Sequence, residues 1–198
     1  VVNGQKRTIT PNEWHFSKLY YNSDIYTVFF PNSRAMRLEN DKNVKKVRVQ
    51  WYNLSSDVVS TYNFNKLDDQ WMLTSIVENP IDAEADNGFV GFYSKFTSDK
   101  EFRANHLAET ILYDGIDPDS DDEFDAKMVK DKKIHSSQWN ENLIPELPHS
   151  QFSNIDFGQD LTGEERMVSV ESPSSGFSSR MHFRKEGGTW QLYKVENL

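Results

Sequence analysis

The chain has 198 residues, of which 36% are hydrophobic and 13% aromatic, with a formal net charge of −9. That length accommodates one large domain or two small ones, and the acidic balance argues against nucleic acid or an anionic membrane as partner. Cysteine is absent, which excludes disulfides and thiolate metal sites, and no apolar run reaches the roughly 20 residues needed to span a bilayer.

In chain order, Thr10-Pro11-Asn12-Glu13 has the form of a capping box with proline at the first helical position. It predicts a short helix carrying Trp14, Phe16, Leu19 and Tyr20. Ile25 to Phe30 is a β-branched and aromatic run stopped by Pro31, and reads as a strand. The basic cluster Lys42 to Arg48 alternates with valines and reads as the solvent face of a strand. In the strand from Val44 to Tyr52, Val47, Val49 and Trp51 point one way and Arg48, Gln50 and Tyr52 the other. Val58 to Phe64, a turn at Asp68-Asp69, and Trp71 to Val77 predict a hairpin. Asp82 to Asp86 reads as a linker, so the chain divides into residues 1–81 and 82–198.

The second segment opens with Phe89, Phe92, Tyr93 and Phe96 at helical spacing. Ser98-Asp99-Lys100-Glu101 predicts the start of a second short helix. Thr110 to Tyr113 predicts a strand, and the acidic stretch Asp114 to Asp125 a surface loop. Thereafter the pattern of the first segment returns. Ile134 to Trp139 parallels Ile9 to Trp14, and Met167 to Glu171 parallels Arg48 to Tyr52. Met181-His182-Phe183 with Trp190-Gln191-Leu192 parallels Tyr62-Asn63-Phe64 with Trp71-Met72-Leu73. The expectation is an internal repeat whose first copy lacks the Phe-rich helix pair, with the natural chain extending further at its N-terminus.

An amphipathic helix, a short second helix and a curved antiparallel sheet resemble the nuclear transport factor 2-like superfamily, an α+β cone of cystatin-like fold. The resemblance implies a tandem of two such cones, the first lacking its helix pair. More narrowly, the run from Gly88 through Phe92, Tyr93, Phe96 and Asp99 to Phe102, with Trp139 and the closing Trp190-Gln191-Leu192, is similar to a family of uncharacterised bacterial proteins. That family carries a domain of unknown function and is typically secreted or lipid-anchored in gut anaerobes. The resemblance therefore implies a secreted, periplasmic or lipid-anchored cell-envelope location.

Asp117, Asp119, Asp121 and Asp125 approach the oxygen-ligand spacing of a calcium loop. The pattern departs at position six, which is Asp122 rather than Gly, and at position twelve, which is Met128 rather than Glu. Enzymes that resemble this fold, such as ketosteroid isomerases and scytalone dehydratases, place Asp, His or Tyr inside the cone. Among the histidines His15, His106, His135, His149 and His182, His106 is a candidate to face the cavity, while His182, between Met181 and Phe183, should point outward. A glycine-flanked serine nucleophile, a phosphate-cradling glycine loop and HExxH are all absent.

What remains is binding of an unknown small ligand or protein, without a cofactor. The candidate lining residues are Phe92, Phe96, Trp139, Phe183 and Tyr193. The rival readings are a small-molecule enzyme of the isomerase or hydratase type and a structural spacer of a surface assembly. In the first segment the face holding Val49, Trp51, Phe64, Trp71 and Leu73 needs a cover, from the second segment, a missing N-terminal segment or a second chain.

Overall fold

Both expected hairpins form, and each closes on a two-residue turn with positive φ at both positions: Asp68 (49°) and Asp69 (61°) in one, Gly187 (57°) and Gly188 (84°) in the other. Such turns match the right-handed twist of the flanking strands, which is why two residues suffice. The structure is a computed structural model and describes residues 25–82, 85–120, 127–144, 151–158, 162–172 and 174–197. The helix expected from Asn12 lies outside the described residues, as does Asp121.

The elements are β1 (Tyr26–Phe30), a helical turn α1 (Ser33–Met36), β2 (Lys46–Asn53), β3 (Val58–Leu67), β4 (Gln70–Pro80), α2 (Phe89–Ser98), α3 (Lys100–Asn105), β5 (Leu107–Ile116), β6 (Met128–His135), β7 (Gln151–Asp156), β8 (Glu165–Ser172), β9 (Phe177–Glu186) and β10 (Thr189–Asn197). The ten strands form one sheet in the order β4-β3-β2-β7-β1-β8-β9-β10-β5-β6. This is an α+β architecture.

Two three-strand blocks flank the centre, and their ladders correspond residue for residue. Val47 pairs with Phe64 and Lys66 with Trp71; 119 residues further on, Arg166 pairs with Phe183 and Lys185 with Trp190. Each closing hairpin skips one residue at the corresponding place, Thr74 in β4 and Tyr193 in β10. Between the blocks β1 and β7 run parallel, β1 antiparallel to β8 and β7 antiparallel to β2. The division expected after residue 81 therefore does not separate two sheets. A strand from each segment crosses to pair with the other segment's block.

Side-chain alternation gives the sheet two different faces. On one face, α2 covers β8–β10 and the central strands, burying Phe89, Tyr93 and Phe96 against Phe29, Phe152, Val168, Phe183 and Leu192. On the other, α1 covers a smaller cluster of Phe30, Ala35 and Met167, edged by Ile155 and Phe157. Tyr52 reaches the α2 face and is buried, whereas Val47 and Val49 on the opposite side of the same strand are only half-buried. The apolar side of the strand, Val47, Val49 and Trp51, is thus half-buried throughout.

Asp99, rather than Ser98, caps α3, its carboxylate accepting from the Phe102 N–H. The linker expected at 82–86 ends in a buried cap, Asp86, whose two oxygens accept from the N–H groups of Gly88 and Val90. Strands β6 and β7 had no clear sequence signal. β6 is a lysine-rich sheet edge, a composition that discourages edge-to-edge pairing. β7 is polar yet central: Asn154 donates to Gln50 Oε1 at 3.0 Å, and Asp156 accepts from Arg48.

Candidate functional site: a filled cone and an open groove

The spacing of Phe89, Tyr93 and Phe96 puts three rings on one stripe of α2, and the sheet meets them with rings of its own. Phe89 lies edge-on to Trp190 at 5.0 Å and to Phe183 at 5.4 Å; Phe96 meets Phe183 at 5.1 Å. Edge-to-face contacts of this kind add to the area that each ring buries. Phe92 joins the cluster at the rim, 5.8 Å from Phe183 and 5.7 Å from Phe96, and the half-buried Trp139 packs against the same core. Four of the five expected lining residues are therefore brought together, as filling rather than as the wall of a void.

Tyr193 is not with them. It sits on the opposite face, under the Arg184 guanidinium at 5.1 Å and beside His182 at 6.1 Å. Trp190 and Leu192 point inward, so alternation sends Tyr193 out, and the bulge there returns Val195 to the core.

Tyr93 Oη and Trp139 Nε1 are buried in the cone without a hydrogen-bond partner among the described residues, whereas the charged groups near it are engaged. Beside Asp86, Tyr52, Asn154 and Arg166 the free volume is about 10 Å³, room for about one water. Burial raises the Asp86 carboxyl above its usual range, opposed by its backbone hydrogen bonds. Arg166, itself buried, donates to the Asp86 carbonyl at 3.0 Å and lies over the Trp190 ring at 5.4 Å. His106 stacks on Phe102 at 3.8 Å with Nδ1 against the Phe102 carbonyl, at the end of α3 rather than in a cavity. His182 points away from the aromatic core as expected, yet it is buried, because α1 places Ser33 Oγ 3.2 Å from its Nδ1.

In the acidic loop, Lys132 Nζ donates to Asp117 and to Asp119, the latter at 2.6 Å. The lysine ammonium supplies the positive charge that the calcium pattern requires from a metal. No group of three or more His, Cys, Asp or Glu suited to a metal ion occurs among the described residues.

The open space is on the other side of the sheet. A groove of about 510 Å³ runs over β2–β4, lined chiefly by Leu38, Val47, Val49, Phe64, Trp71 and Ile155. Val49, Phe64 and Trp71 are three of the residues whose uncovered face the sequence predicts; Trp51 and Leu73 are half-buried in the same strands. Trp71 is 46% exposed. The wall formed by Leu38 and Ile155 was not legible, since it depends on α1 leading into a turn and on β7 lying beside β2. Lys42 and Lys66 stand at the groove, and Lys66 also pairs with Asp69 at 3.3 Å.

The chain is similar in structure to an NTF2-like protein from Bacteroides fragilis, with a TM-score of 0.73 and 27% sequence identity over 94% of this chain and 79% of that one. The fold is thus that of the nuclear transport factor 2-like proteins. No curated protein matches. No helix among the described residues is long and apolar enough to cross a membrane. A family model described as a domain of unknown function, DUF4348, matches residues 1–197, and the chain belongs to that family.

Proposed function

We propose that this is a non-catalytic binding protein that works through the groove on β2–β4. The observation that carries this reading is the contrast between an aromatic cone packed shut and an apolar groove of about 510 Å³ left open among the described residues. That volume falls within the roughly 300–1,000 Å³ typical of ligand sites. The rival enzyme reading needs a cavity with a buried acid or base in reach of substrate. Of the carboxylates buried among the described residues, Asp86 has both oxygens occupied by the N–H groups of Gly88 and Val90, and Asp156 is paired with Arg48.

The finer reading is of two repeated units built as tandem cones, the first lacking the Phe-rich helix pair, with β1 and β7 exchanged between them. Its support is the matching ladder registers of the two blocks. A secreted or lipid-anchored location rests on the family resemblance alone, and cell fractionation tests it.

Binding is tested with an apolar reporter dye, anilinonaphthalene sulfonate, titrated into the folded protein. Saturable one-to-one binding that weakens about tenfold or more in Val49→Asp and Trp71→Ala supports the groove. Binding that is absent, or indifferent to both changes, overturns it.

A further inference from the structure

We infer that Asn87-Gly88, at the head of α2, is a guarded modification site. Its asparagine is held unreactive while α2 stays docked and is converted to aspartate and isoaspartate when the start of the helix opens. This goes beyond the groove and does not rest on it.

The chemistry belongs to the residue pair. The Gly88 nitrogen, once its proton is removed, attacks the side-chain carbonyl carbon of Asn87. A carbon–nitrogen bond forms, the bond to Nδ2 breaks, and the side-chain nitrogen leaves as ammonia. Water then opens the cyclic imide at either carbonyl, giving aspartate or, with the backbone rerouted through Cβ, isoaspartate. Glycine favours the step because no Cβ crowds the attacking nitrogen and the backbone turns freely. A Cβ added at Gly88 would meet nothing within 4 Å, so crowding by neighbours does not block the reaction. Protection falls to the bonds that hold the pair.

Those bonds engage every group that must move. The Gly88 N–H donates to Asp86 Oδ1 at 3.0 Å, and a proton shared with a carboxylate is hard to remove. At the other reacting group, Asn87 Oδ1 accepts from Lys185 Nζ at 2.6 Å and Nδ2 donates to the Thr162 carbonyl at 3.2 Å. Both ends of the side-chain amide are therefore tied to residues far along the chain. The backbone between them is held too, since the Asn87 carbonyl accepts from Trp190 Nε1 at 3.1 Å and from Lys185 Nζ at 3.2 Å. Asn87 and Gly88 both have positive φ, 59° and 74°, so the junction sits in one left-handed turn that these bonds select.

Reaction here would alter how α2 docks. Isoaspartate adds an atom to the main chain between the Asp86 carboxylate and the Val90 N–H that it caps. It also turns the carbonyl held by Trp190 and Lys185 into a carboxylate on a side branch. Plain aspartate keeps the Lys185 contact but loses the donor to the Thr162 and Gly163 carbonyls. A transient opening of α2 is thus made permanent.

The test incubates the intact chain in buffer and in urea at mildly alkaline pH. The Asn87 peptide is then followed by mass spectrometry, with isoaspartate resolved by chromatography. The chain's other Asn-Gly pair, Asn3-Gly4, is read in the same samples. In urea the two pairs should react at comparable rates, and Asn87 in buffer about tenfold or more slowly than in urea. Asp86→Ala and Lys185→Met should each speed Asn87 in buffer by about fivefold, the worth of one ordinary hydrogen bond, without changing its rate in urea. A rate in buffer that stays below the rate in urea shows that the variant is folded. Equal rates at Asn87 in buffer and urea overturn the guard, and an inert Asn87 in urea overturns the site. Protection that neither variant weakens overturns the assignment to these contacts.

Discussion

Trp71 and Trp190 occupy the same position in two closing hairpins, each opposite a lysine, yet Trp190 is 4% exposed and Trp71 46%. The difference lies in what packs on them. Trp190 is enclosed by Phe89, Phe92 and the Arg166 guanidinium, while Trp71 borders the open groove. Truncation should therefore have unequal effects. Trp190→Ala should destabilise the fold by about 3–5 kcal/mol, and Trp71→Ala by about 1 kcal/mol. Urea unfolding measures both, and equal losses would contradict the exposed position of Trp71.

The hairpins, the two helices and the flanking strands were legible because their signals are local: aromatic periodicity, capping residues and turn residues. The aromatic stripe of α2 marks an apolar face, but its periodicity does not distinguish rings that line a space from rings that fill it. Tyr193 lies on the face opposite the expected lining, because alternation separates position 193 from 190 and 192. The centre of the sheet was not legible. β7 is a polar strand whose Asn154 and Asp156 find partners only once β2 lies beside it, more than 100 residues away in sequence. Pairing at that range leaves no local trace.

The turn at Asp68-Asp69 adopts the backbone of its glycine counterpart, with φ of 49° and 61°. Non-glycine residues pay roughly 1 kcal/mol or more in this left-handed region, and Asn-Gly is the favoured pair. Asp68→Asn with Asp69→Gly should raise stability by about 1 kcal/mol. The lost Lys66–Asp69 pair costs little, because Asp69 is 89% exposed. A lower thermal midpoint in the double variant would refute the strain argument.

Tyr93 is wholly buried, and its hydroxyl has no hydrogen-bond partner among the described residues. An unsatisfied buried hydroxyl costs about 1–3 kcal/mol, and Phe has the same ring without it. Tyr93→Phe should thus be stabilising, by about 1 kcal/mol. A loss of stability in this variant would mean that the hydroxyl is bonded in solution, for instance to a buried water.

His182 supplies a pH dependence whose sign follows from burial. Desolvation holds its imidazole below the ordinary 6.5, against the pull of Glu196 and with Lys194 and Arg180 adding to the depression. Ser33 of α1 closes the site from the other side. The unfolded chain takes up a proton near pH 6.5 that the folded chain refuses until lower pH. Stability from this group is present above that pH and is lost as pH falls through the window below it. His182→Gln should flatten the fall in stability between about pH 6.5 and 5. An unchanged slope would assign the acid sensitivity to other groups.

The central exchange of β1 and β7 bears on cooperativity. Each block of three strands ends on a strand from the other segment: β2 on β7, and β8 on β1. Phe29 of β1 packs on Phe152 of β7 at 5.2 Å and on Tyr93 of α2 at 5.0 Å, so the shared centre and the aromatic cone are one core. Neither block can open without exposing the backbone groups and rings of the other, which joins them in one folding unit. Denaturant should unfold the protein in a single transition by both tryptophan fluorescence and far-ultraviolet circular dichroism. Phe29→Ala, creating a cavity at the centre, should shift that one midpoint by the equivalent of about 3–5 kcal/mol without splitting it. Two separated transitions, or a Phe29→Ala effect confined to the amides of β8–β10 in hydrogen exchange, would show that the halves fold independently despite the exchanged strands.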